Sequence, residues 1–164
     1  RVAYDRVANE LHDAQRTGTA VSARLATLGA QIGTIGAAID TISGVSAANK
    51  ARFDDVKREF DAVRVKFGVA APRAPGSPAA PGGGGGGGGF GGGAGAAANA
   101  LGRVGGLKGA IVGIWEAPSA GTLRQVTEAR AALDAAMREA NALLTKANAL
   151  GQELKANNLT LAAP

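Results

Sequence analysis

His12 is the chain's single histidine, and it stands between Glu10 and Asp13. An imidazole among carboxylates is the raw material of a metal site or a proton relay. The spacing argues against both. Side chains converge on a helix at steps of three or four, and Glu10, His12 and Asp13 lie too close in sequence to close on one point. His12, next to the apolar Leu11, is therefore expected to be solvated or packed at an edge. Ser22, Ser43, Ser46, Ser77 and Ser119 carry no mark of a nucleophile elbow. Asp54 and Asp55 point to different sides of a helix, while Glu10 with Asp13 and Asp55 with Glu59 share a face. Sugar hydrolysis needs two carboxyls about 5–9.5 Å apart across a cleft. These pairs read instead as surface charges beside Arg16, Arg52, Arg58 and Lys66. No catalytic residue, metal ligand, cofactor or small-molecule ligand is expected. The residues with most to offer a partner are Trp115 and Glu116, at a corner before Pro118, and Phe90 inside a glycine tract. A Trp at such a corner either caps a bundle core or anchors an interface, and Phe90 either docks on a groove or is solvated.

Composition narrows the classes further. There is no Cys, which removes disulfides, thiolate nucleophiles and sulfur ligands. Apolar residues make up 46% of the 164, but aromatic residues only 4%, so helices packed through small residues fit better than a sheet sandwich. The net charge of +5 is dispersed: Arg1 to Gly68 has ten basic and eight acidic residues, Leu101 to Pro164 seven and five. Nucleic acid would call for a gathered basic face, and a membrane surface for a cationic face with aromatic anchors. Neither partner is expected; a protein is. The chain starts at Arg1 without a Met, a signal peptide or a run of 18 apolar residues, and reads as a piece of something larger.

The elements that must position these residues are helices. Val7, Leu11, Ala14, Gly18, Val21, Leu25, Leu28, Ile32, Ile35, Ile39 and Ile42 form an unbroken heptad seam, which predicts a helix over 3–42. Its partner-facing glycines, Gly29, Gly33 and Gly36, would let another helix cross closely. Phe53, Val56, Phe60, Val63 and Phe67 continue the pattern over 46–68. The whole could be one helix, or a hairpin cornered near Gly44. The hairpin is expected, since a lone helix of about 60 residues would leave its seam exposed. Four prolines and 13 glycines then fill most of residues 70–98, which read as a flexible linker. Leu101, Val104, Leu107, Ile111, Ile114 and Trp115 predict a helix over 99–116. Ser119 is placed to cap another over 119–157, striped by Leu123, Val126, Leu133, Met137, Ala140, Leu144, Ala147, Leu150 and Leu154 and fraying at Asn157 and Asn158. The domain plan is thus a hairpin over 1–69, the linker, and a second hairpin over 99–164 packed on the first. The fold class is all-α: an antiparallel four-helix bundle or paired helical hairpins.

Three stretches also carry a resemblance. Tyr4-Asp-Arg-Val7, the DDVKREFDAVRVKFG of Asp54 to Gly68, and the VGGLKGAIVGIWEAPS of Val104 to Ser119 followed by RAALDAAMREANALL are similar to the helical C-terminal region of large bacterial proteins. Those proteins carry sortilin-like, sialidase-like β-propellers of the BNR, WD40 or YVTN type, often described as glycosyl hydrolases. The resemblance implies a non-catalytic structural or docking module within a larger exported protein, periplasmic or secreted. Its alternative is the C-terminal part of a hydrolase or sugar-binding protein whose active portion lies elsewhere. The Asp-box repeats and propeller blades of that family are not in this sequence, so no residue of a propeller site maps onto it.

Overall fold

A seam repeating at three- and four-residue steps becomes a single stripe once wound into a helix. In a computed structural model, which describes residues 2–76, 99–113 and 117–162, that stripe is the buried face of α1 (Val2–Ala38). The others are α2 (Ala47–Arg64), prolonged by a 3-10 turn over Val65–Phe67; α3 (Ala100–Val112); and α4 (Ala120–Leu154), prolonged by a 3-10 turn over Lys155–Asn157. Among the described residues the fold is all-helical, with four α-helices and no sheet. Each later helix begins at a side-chain cap. The amides of Asn49, Gly102 and Thr122 donate to Ser46, Asn99 and Ser119 respectively, satisfying N–H groups that a first turn leaves without partners.

The four helices occupy three lanes. Down α2 and α4 the ion pairs Arg52–Glu153, Glu59–Lys146 and Lys66–Glu139 join residues whose numbers sum to 205 each time, so these helices run antiparallel in constant register. Gly29 faces the Phe60 ring and Gly36 faces Phe53, which makes α2 antiparallel to α1 as well. Gly18 against Leu101 and His12 beside Lys108 make α3 antiparallel to α1. Glu10 meets Arg130, Gly18 meets Leu133 and Gly44 meets Asn157, so α1 and α4 ascend together. The shorter α2 and α3 both descend, one above the other, and Gly68 at the foot of α2 abuts Asn99 at the head of α3.

The ion pairs of α2 and α4 recur every heptad and alternate in sign: Arg, Glu, Lys on one helix against Glu, Lys, Glu on the other. They are half exposed, worth about 0.2–1 kcal/mol each. Their value lies in register. A slip of one heptad would set Arg52 against Lys146 and Glu59 against Glu139 and leave Lys66 opposite Ala132, so the wrong alignment makes two like-charge contacts and no ion pair at these positions.

Between the lanes the described core is wholly apolar. Leu11, Leu25, Leu28, Phe60, Leu133 and Leu154 are among its fully enclosed side chains, and no polar or charged described residue is buried. Small residues set the spacing. Gly29 leaves the place a Cβ would take to the Phe60 ring, whose Cζ would lie 2.7 Å from such an atom. On α4 the small inward positions are Ala129, Ala136, Ala140 and Ala147, all buried.

Several expectations need correction. Helix α1 stops at Ala38 rather than 42: the Ala38 carbonyl accepts from the amides of Thr41 and Ile42 and from the Thr41 hydroxyl, and the chain turns at Gly44 with φ +101°. Gly33 receives not a helix but the returning chain beyond α2, since the Arg73 carbonyl oxygen lies 2.0 Å from where a Cβ would stand. Leu123 is exposed, and Ala129, Ala136 and Leu143 complete the α4 stripe that Leu123 was expected to share. The C-terminal end does not fray. Asn158 adopts φ 58°, the Leu159 amide donates to the Leu154 carbonyl, and Leu159 and Leu161 fold back into the core. Gln31 of α1 secures this tail by donating to the Ala162 carbonyl (3.0 Å) and accepting from the Ala162 amide (2.8 Å). Most of the proposed linker, residues 77–98, lies outside the described residues.

Candidate docking surface

His12 is exposed, and its Nδ1 lies 3.1 Å from the Lys108 ammonium, which also donates to Gln15. Lys has donors only, so this Nδ1 accepts. The contact ties α3 to α1 through one of the two ring nitrogens. Among the described residues no group of three His, Asp or Glu side chains could hold a metal ion. The carboxylates are distributed as helix-surface charges: Asp13 with Arg16, Asp55 with Arg58, Asp61 with Arg64, Glu59 with Lys146. Trp115, Glu116 and Phe90 lie outside the described residues.

Glu10 is the carboxylate with a distinct environment. It accepts from Arg6 one turn earlier at 2.9 Å and from Arg130 across on α4. The Arg6 hydrogen bond, followed by the charge and hydrogen bond of Arg130 and the charge of Arg6, outweighs partial desolvation and holds its pKa below the ordinary 4.5. A depressed folded-state pKa contributes stability above the unfolded-state value and loses it as pH falls through the folded one. Glu10→Gln is therefore expected to lower the urea midpoint at pH 7, with the deficit closing as pH drops below 4.5 and vanishing in stronger acid. A deficit unchanged by acid would show that the pair does not act through charge.

A surface depression of about 510 Å³ lies where α2 gives way to α3, which sequence reasoning missed because no motif marks it. Val65, Ala100, Ala132, Ala135 and Ala136 supply its apolar lining, and Lys66, Arg103 and Glu139 its polar part. Val65 is 54% exposed, unusual for a β-branched residue at the end of an apolar stripe. Its step of two from both Val63 and Phe67 is the sequence signal that could have found it, since both those neighbours face the core. The depression offers small apolar contacts framed by charge and no converging acid, base or nucleophile. Such a lining can make small apolar contacts and ion pairs with a side chain placed on it.

Comparison with protein-family models, with curated proteins and with solved structures found no match for this chain. The likeness to propeller-protein C-terminal regions rests on the three quoted stretches alone.

Proposed function

We propose that this chain is a non-catalytic helical module that serves as a structural spacer and protein-docking element. The observation that carries the reading is the contrast between a described core of apolar side chains only and a half-open apolar depression, edged by Lys66, Arg103 and Glu139, at the α2–α3 junction. Catalytic groups are usually recognised by burial and shifted ionisation, whereas no charged side chain among the described residues is buried, and many are paired across the surface. The setting we propose is a larger exported bacterial protein, as the resemblance implies; sequence coding for propeller blades upstream of Arg1 would support it, and their absence would remove it.

The docking role is tested with a photo-crosslinking residue at Val65, compared with one at exposed Glu128, in cells that make the full protein. The expected result is a discrete intermolecular adduct from position 65 and none from 128. Adducts from neither position, or only an intramolecular adduct from 65, would overturn docking at this surface.

A further inference from the structure

The two descending helices share one heptad phase. Phe53, Phe60 and Phe67 occupy one inward position of α2 at steps of seven, and Val56 and Val63 the other. Phe67 to Val104 and Val63 to Ala100 are both 37 residues, which is 30 more than one heptad. Ile111 then follows Val104 by seven, and Leu107 follows Ala100 by seven. Val104 and Ile111 are buried, while Ala100 and Leu107 pack half-buried against the same core.

The facing residues give the same offset independently. Gly29–Phe60 and Gly36–Phe53 have numbers summing to 89, while Gly18–Leu101 sums to 119 and Gln15–Gly105 and His12–Lys108 to 120. The step is 30 or 31, and the segment between Gly68 and Asn99 is 30 residues long. The 18 residues of α2, its 3-residue 3-10 turn and the 13 residues of α3 also nearly match the 35 of α4.

From this coincidence of phase, register and length we infer that residues 69–98 are an in-phase insertion into the second helix of a three-helix bundle, and that the Gly68–Asn99 junction is a graft point. Chain can be removed or exchanged there while both half-helices keep their places. This stands independently of the docking role proposed above. The left-handed Gly68, with φ 69°, is what lets the chain leave the helix at that point, and the Val69 amide closes the end on the Arg64 carbonyl.

The test joins position 68 directly to Asn99 by deleting 69–98, with Gly68→Ala to favour a continuous helix, and compares it with deletions of 69–96 and 69–97. All three lose the same contacts of Val69 and Arg73. The off-phase fusions turn α3 by about 200° and 100°, carrying Val104 and Ile111 out of the core. The in-phase fusion is expected to melt about 10 °C or more above both. Spin labels replacing Arg58 and Ala110 are expected about 33 Å apart in it, as along one helix of 22 residues, and at the same distance in the parent. Equal midpoints for the three fusions, an unfolded in-phase fusion, or a label distance that differs between fusion and parent would each overturn the inference.

Discussion

Leu133→Ala and Ile35→Ala are each expected to lower stability by about 2–5 kcal/mol, against less than about 0.5 kcal/mol for exposed Glu128→Ala. Leu133 has no exposed surface and Ile35 only 2%. Leu133 sits well inside the 35-residue α4, and Ile35 in the last turn of the 37-residue α1, where its carbonyl accepts from the Ile39 amide at 2.8 Å. Leu133 also packs into the gap left by Gly18, its δ carbons 3.3 Å from where a Cβ would stand, so the surrounding backbone has little freedom to close a cavity. Denaturant midpoints converted through a common slope measure all three variants. Core variants as mild as Glu128→Ala would mean that the bundle does not stand on its own, and that its stripes are covered by other protein in solution.

Gly151→Ala should destabilise the full chain and stabilise a shortened one. A Cβ at position 151 would lie 1.7 Å from the Leu161 carbonyl oxygen, an overlap that only displacement of the tail can relieve. Displacement exposes Leu159 and Leu161, at about 1.5–3 kcal/mol each as an upper bound, and breaks both Gln31 hydrogen bonds to Ala162. The gain from Ala over Gly inside a helix returns about 1 kcal/mol, leaving a net loss of at most about 2–5 kcal/mol. In a chain ending at Asn158 the obstacle is gone and only the helix gain remains. Thermal midpoints of the four chains form a double-mutant cycle. If Gly151→Ala had the same sign in both lengths, the tail would not lie on α4 in solution.

The helices were legible because their signal is periodic and long. The α1 seam, the cap at Ser119 and the stop at Gly68 can be read directly from residue types. What escaped was information carried by other parts of the chain. Four stripes of lengths long, short, short and long allow two hairpins side by side or two short helices end to end. The choice rests on pairings such as Gly18 with Leu101, which no local pattern records. Ala129 and Ala136 carry no such signal, because alanine is equally at home on a helix surface, and burial alone distinguishes it here. The tail conceals its role for a similar reason. Asn157 and Asn158 resemble a fraying end, and only the backbone space above Gly151 makes Leu159 and Leu161 core residues. Trp115 and Phe90 stand out as interface candidates by residue type alone; the α2–α3 depression has an apolar lining of valine and alanine, which no chemical motif announces.

The common ascent of α1 and α4 gives the bundle a definite response to force. Val2 lies at the foot of α1, whereas Ala162 is tied to Gln31, 29 residues higher, or about 43 Å along the axis. Tension applied between those two points slides α1 past α4 and loads their whole interface at once, including the Glu10–Arg130 clamp at its lower end. A hairpin pulled from its two open ends would instead peel one contact at a time. Shear makes rupture a collective event, governed by the unfolding rate rather than by the weakest single contact, so that under tension the bundle resists as a tie does and not as a zipper.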